Sequence, residues 1–268
     1  MLAVCEDVTI SWREVGRGLP VVLIHGLGDD HRAWRKVVGD LMLDHRVVLY
    51  DLRGHGESSL GQADGSLRQL SEDLIALMDS AGLASATLAG FSLGGTVAMR
   101  AAIDHPERVE ALALIATSSR VNAQAAAWYH ERAVAASTGA DGLRAMLDRD
   151  TEDVYRHRPG EVVAGLAIRR QATADPAGYA NACRAMAHLR EQPLDPELGR
   201  ITSPTVVVAA ENDQHCPPRA GEVIANAIAG SLLQILPDTG HPIPLERPQE
   251  AIAAIRRLDG PAPVPEGT

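Results

Sequence analysis

A serine between glycines, a carboxylate and a histidine further on can together cleave an acyl bond, and this chain carries all three just after apolar runs. Gly90-Phe91-Ser92-Leu93-Gly94-Gly95 reads G-x-S-x-G; it follows the run 86–91 and precedes a helical stretch over 96–103. A strand-to-helix turn of that kind needs small neighbours, holds the serine in a strained conformation and lifts its Oγ above the strand ends. Asp213, in Glu211-Asn212-Asp213-Gln214, follows the run 205–210, and His241, in Thr239-Gly240-His241-Pro242, follows the run 232–236. A serine hydroxyl is a poor nucleophile until a base takes its proton, and imidazole, with an ordinary pKa of about 6.5, suits that task. His241 is therefore read as the base, and Asp213 as the group that fixes its tautomer and stabilises the imidazolium.

The oxyanion formed by such an attack needs backbone donors aimed at it. The N–H of Leu93, at the start of the helix, is one candidate. The N–H of Leu27 in His25-Gly26-Leu27-Gly28, after the first apolar run, is the other, and His25 is read as ordering that loop. Leu27, Trp34, Leu93, Trp128, Met146 and Met186 are candidate pocket walls, with simple packing as the plainer alternative. Arg132 could hold a carboxylate if the substrate is an acid; a solvated helix residue is the equal alternative. Glu211 and Asp238 compete with Asp213 for the acid role but read as solvated turn residues. His215, Cys216 and His241 lack the paired spacing of zinc ligands, so no metal and no cofactor is expected. The turn 51–58 (DLRGHGES) reads as a loop held by pairing of Asp51 with Arg53.

These residues need a frame. Residues 20–25 (PVVLIH) and 46–51 (RVVLYD) are continuous apolar runs, expected as strands buried on both faces. Residues 32–44 have helical spacing, and 67–81 place Leu70, Leu74, Leu77 and Met78 on one stripe. With 86–91, 111–116, 205–210 and 232–236 as further strands, the alternation predicts an α/β chain with a mostly parallel sheet covered by helices on both faces. Between 117 and 200 no strand-like run occurs. Helices are expected from near Ala123, Asp141 and Glu161 and over 176–187, as an inserted helical cap. The resulting division is a core of residues 1–118 and 199–268 with a cap of 119–198. Residues 260–268 are Pro- and Gly-rich and are expected to form a disordered tail.

Composition narrows the partners. The 268 residues are 46% hydrophobic, enough for one core, and the net charge of −10 gives no basic face for nucleic acid. Cys5, Cys183 and Cys216 are odd in number and scattered, which argues for a reducing compartment rather than a disulfide framework. The first residues carry charge too early for a secretory signal, and no apolar run approaches the roughly 18 residues of a membrane span. A cytoplasmic protein of undetermined oligomeric state, acting on a small molecule, is expected. Aromatic residues are only 3% of the chain, so Leu, Met, Ala and Val must line most of any pocket.

From HGLGDD through DLRGHGES, GFSLGG and ENDQHCP to GHPIPLERP, the chain resembles the α/β-hydrolase superfamily over nearly its whole length. Its order of serine, aspartate and histidine is the one found there. Residues 128–132 (WYHER) and 175–179 (DPAGY) resemble the cap of the 3-oxoadipate enol-lactonase branch, which includes related esterases. The resemblance implies hydrolysis of a small ester or lactone under a helical lid. His25-Gly26-Leu27-Gly28 departs from the Asn-Ser-Leu-Gly type of loop in that branch and is commoner among general esterases. Carbon–carbon bond hydrolysis, perhydrolysis or a lyase reaction with the same triad is the alternative chemistry. A non-catalytic ligand-binding protein on the same fold is the alternative class.

Overall fold

The computed structural model describes residues 1–5 and 7–260. Apart from Gly260, the tail expected over 260–268 lies outside the described residues. The chain opens with two antiparallel strands, β1 (Leu2–Cys5) and β2 (Val8–Gly16). No strand is expected there from the sequence, because polar residues interrupt the apolar run. Their signal was the period of two at Val8, Ile10 and Trp12, all buried.

β3 (Leu19–Ile24) and β4 (His45–Tyr50) form where the two long apolar runs were read. The connection between them differs from the expected helix over 32–44. It is a 3₁₀ turn at His31–Trp34 followed by a single helical turn, α1 (Val38–Leu41). The Asp30 carboxylate accepts from the Arg32 N–H and grips the Arg32 guanidinium, which tightens the start of the segment into a turn. Trp34, Val37 and Leu41 still share one buried side, so the spacing reported burial although the backbone took another form.

After β4 come α2 (Leu67–Ser80), β5 (Ala86–Phe91), α3 (Leu93–Asp104) and β6 (Val109–Ile115). Four helices then intervene: α4 (Ala123–Ser137), α5 (Ala140–Val154), α6 (Val162–Ala172) and α7 (Pro176–His188). Asn122 and Asp175 cap α4 and α7 by accepting from backbone N–H groups. The sheet resumes with β7 (Thr205–Ala210), α8 (Pro218–Ala227) and β8 (Leu232–Leu236), and α9 (Ile243–Glu246) and α10 (Pro248–Arg256) follow.

The eight strands order as β1-β2-β4-β3-β5-β6-β7-β8, parallel from β4 to β8. Successive residues of the central strands face opposite layers. Val22 and Ile24 pack with Leu70, Leu74 and Met78 of α2 and Val97 of α3. Val21 and Leu23 pack with Trp34, Leu41 and, from α10, Ile252 and Ile255. The chain runs from β3 outward to β4 on one side and crosses to β5 on the other. The point between β3 and β5 is thus a topological switch, where open α/β sheets leave a crevice beyond the carboxyl ends of the strands. Ile24 pairs with Gly90 across it, which sets the His25 loop beside Ser92.

Candidate active site

Ser92 stands at the junction of β5 and α3 with φ 54° and ψ −120°, a conformation that L residues adopt only when their surroundings enforce it. The enforcement is visible. The Ser92 N–H donates to the Ile115 carbonyl at 2.9 Å, and the Ser92 carbonyl accepts from Thr117 Oγ1 at 2.7 Å. No side chain fits on either flank: a Cβ at Gly90 would come to 2.5 Å from Gly95 Cα, and one at Gly94 to 2.6 Å from the Ile24 carbonyl carbon. α3 begins at Leu93, so the Leu93 N–H is among the free donors of a helix start.

His241 Nε2 lies 3.1 Å from Ser92 Oγ, and His241 Nδ1 lies 2.7 Å from Asp213 Oδ2. The second Asp213 oxygen, Oδ1, accepts from the N–H groups of His215 and Cys216, both at 2.8 Å. Asp213 has no exposed side-chain surface, so its carboxylate meets backbone donors and one imidazole instead of water. The loop bearing His241 is held by Glu246, whose Oε2 accepts from the Gly240 N–H at 2.9 Å, and by Arg247, which donates to Thr239 Oγ1. Of the two competing acids, Glu211 accepts from the Asp238 N–H, which places both at the outer turn rather than at His241.

The loop after β3 presses on this centre. A Cβ at Gly26 would lie 3.2 Å from Ser92 Cβ. His25 is buried and fixes the loop through both nitrogens: Nδ1 donates to the Gly26 carbonyl and Nε2 accepts from the Leu52 N–H. His55 Nε2 accepts from the Gly28 N–H, and burial pushes its pKa down to about 3, so this imidazole is neutral. The expected pairing of Asp51 with Arg53 is corrected here. Asp51 accepts from the backbone N–H groups of His31 and Glu57 and from the His31 ring, whereas Arg53 forks onto Asp73 of α2 at 2.6 and 2.7 Å. Asp30, His31 and Asp51 do place three ligand-type atoms within 4.8 Å of one another. The Arg32 guanidinium already holds the Asp30 carboxylate, and the donors just named hold Asp51, so this reads as an ion-pair network.

A cavity of about 460 Å³, its open mouth included, surrounds Ser92 and His241. Gly26, Leu27, Phe91 and Trp128 line it, together with Asp29, Tyr129, Asp150, Val154, Arg169 and His215. Of the seven residues proposed as pocket walls or anchors from the sequence, Leu27 and Trp128 are among them. Trp34 is buried under the opposite layer of the sheet, and Met186 packs in the layer of α2 and α3. Met146 is half-buried on α5 outside the cavity. Arg132 is neither solvated nor free to meet a substrate. Its Nε and Nη2 donate to Asp150 at 2.6 and 2.5 Å, and the guanidinium stacks over Trp128 at 3.5 Å. The spacing of a helix tells which residues share a face but not which neighbour that face meets, and this is why those readings missed.

From the sequence, His215 stands out only as a possible metal ligand. It packs against the His241 ring with centroids 5.0 Å apart, and loss of water followed by the His241 charge pushes its pKa down to about 4. Arg169 did have a sequence signal. Gly165, Ile168, Arg169 and Ala172 are the buried stripe of α6, with an arginine at an otherwise apolar position.

The fold and this constellation define a class, and comparison with known proteins gives the same one. A family model described as alpha/beta hydrolase fold matches residues 20–248, and the chain belongs to that family. It is similar to the "Putative carbamate hydrolase RutD" of Variovorax paradoxus, 32% identical over 84% of this chain and 85% of the relative. It is also similar to 3-oxoadipate enol-lactonase 1 of Acinetobacter baylyi, 28% identical over 87% and 85%. Among solved structures, the enol-lactonase from Burkholderia xenovorans superposes with a TM-score of 0.87 at 28% identity, covering 96% of this chain and 99% of that one.

Proposed function

We propose that the protein hydrolyses a small carboxylic ester or lactone through an acyl-enzyme on Ser92. The observation that carries this reading is the unbroken line from Ser92 Oγ through His241 to Asp213, at 3.1 and 2.7 Å. His241 Nε2 takes the hydroxyl proton as Oγ adds to the carbonyl carbon. Asp213 keeps the Nδ1 proton in place and stabilises the imidazolium without accepting that proton. The N–H groups of Leu27 and Leu93 receive the developing oxyanion. Collapse expels the alkoxide, which takes the proton back from His241; water then repeats the sequence on the acyl-enzyme.

The relatives named as a carbamate hydrolase and as enol-lactonases support acyl cleavage. We assign residues 119–198 the part of a lid over the core of 1–118 and 199–268, because Trp128, Tyr129, Asp150 and Arg169 reach the cavity from that segment. Cys183 and Cys216 are free and buried, in keeping with a cytoplasmic setting. A fluorophosphonate should label Ser92, and Ser92→Ala should lower turnover of a short chromogenic ester by about 10⁴–10⁶, or about 5–8 kcal/mol of barrier. Undiminished hydrolysis by that variant would rule the reading out.

A further inference from the structure

The cavity around Ser92 contains a cation for which the acyl-transfer steps have no use. Arg169 of α6 is only 5% exposed and lines the same cavity as Ser92 and His241. Its guanidinium lies over the loop that carries Leu27: a Cβ at Gly28 would sit 3.1 Å from Arg169 Nη2. Among the described residues its ion-pair partner is Asp29, at 3.6 Å, outside hydrogen-bond reach, and its buried Nε has no acceptor.

Two other buried arginines in this chain serve as internal controls. Arg53 and Arg132 each fork onto one carboxylate, Asp73 and Asp150, with both bonds between 2.5 and 2.7 Å. That is how a structural guanidinium is satisfied away from water. Arg169 has the same burial and lacks the fork. A buried charge without hydrogen bonds is costly, and proteins retain one where a ligand completes it.

We propose that Arg169 receives a free carboxylate on the substrate, so that the ester or lactone turned over at Ser92 is an anionic one. This rests on the Ser92 reading and adds the substrate class to it. The planar fork matches a carboxylate through two parallel N–H···O bonds, a geometry that an ammonium does not offer. Arg132 cannot serve, since Asp150 occupies its fork. Asp29 is the nearest carboxylate, 3.6 Å from Arg169, and burial pushes its carboxyl above the ordinary range.

The test compares para-nitrophenyl hydrogen glutarate, which carries a carboxylate, with neutral para-nitrophenyl pentanoate. The wild-type chain should favour the anionic ester in kcat/KM, and Arg169→Met should shift the anionic-to-neutral ratio by about 10²-fold towards the neutral ester. Loss of a purely structural arginine lowers both rates together and leaves the ratio where it was, which would overturn the proposal. A wild-type chain with no preference between the esters would overturn it as well. Titration of glutarate followed by calorimetry reads the site without any turnover: binding to the wild type that weakens at least tenfold in Arg169→Met supports it. An absence of binding to the wild type counts against it. A Ser92 that resists fluorophosphonate sinks the hydrolase reading separately, because glutarate binding does not depend on that hydroxyl.

Discussion

Asp213 uses its two oxygens differently, and this makes its amide analogue informative. Oδ1 accepts two backbone N–H groups, and Oδ2 accepts from His241 Nδ1. In Asp213→Asn the remaining oxygen can keep the backbone pair, while the new NH₂ faces Nδ1 and forces the imidazole proton onto Nε2, where it cannot accept from Ser92. Turnover should therefore fall by about 10⁴ with the melting temperature little changed; a loss under tenfold would remove Asp213 from the assigned role. His55 sets a pH dependence of another kind. Its pKa is lowered from 6.5 to about 3 by burial, so between those values the unfolded chain binds a proton that the folded chain does not. Stability is thus full above pH 6.5 and declines as pH falls towards 3. His55→Gln, which retains an acceptor for the Gly28 N–H, should flatten the fall in melting temperature between pH 7 and pH 5; an unaltered slope would assign the acid sensitivity elsewhere.

At the scale of elements, the site is a consequence of how closely β3, β5 and α3 approach. The elbow succeeds because Gly94 lets α3 start directly against the end of β3, where a Cβ would meet the Ile24 carbonyl carbon at 2.6 Å. Both partners are backbone and neither can rotate away. Gly94→Ala should cost about 3 kcal/mol or more in urea denaturation and should lower Ser92 labelling in whatever remains folded. A fully stable, fully labelled variant would show that the elbow tolerates movement. The central strands were legible from their apolar runs, since burial on both faces strongly favours apolar residues. β8 was legible too, although four of its five residues are exposed at the sheet edge, so its apolar character does not report burial. The segment after β3 departs from the expected helix because a helical spacing of Trp34, Val37 and Leu41 is equally served by two short turns.

For the molecule as a whole, the inserted helices are tied to the sheet through α7. Ala182, Ala185, Met186 and Leu189 share one apolar cluster with Leu70, Leu74 and Val97, while α4, α5 and α7 form a smaller cluster that touches Leu27. The insertion and the sheet should consequently unfold together. Met186→Ala, at a residue only 2% exposed, should lower stability by about 2–5 kcal/mol and move a single calorimetric transition to lower temperature. Appearance of a separate early transition would show instead that the helices melt independently.

The serine turn, the candidate acid and the candidate base could be read in the chain alone, because each depends on local context: a strand, a tight turn and the residue types that such a turn permits. The four helices of the insertion could be read for the same reason. What lies across the cavity from Ser92 could not. Arg132 and Arg169 both sit in helical, arginine-bearing segments of similar composition, and only the packing of α4 against α5 and of α6 over the Gly28 loop gives one a carboxylate partner and leaves the other without a hydrogen bond. Pairing between segments far apart in sequence is a property of the assembled fold, since burial and partner are settled by which faces meet.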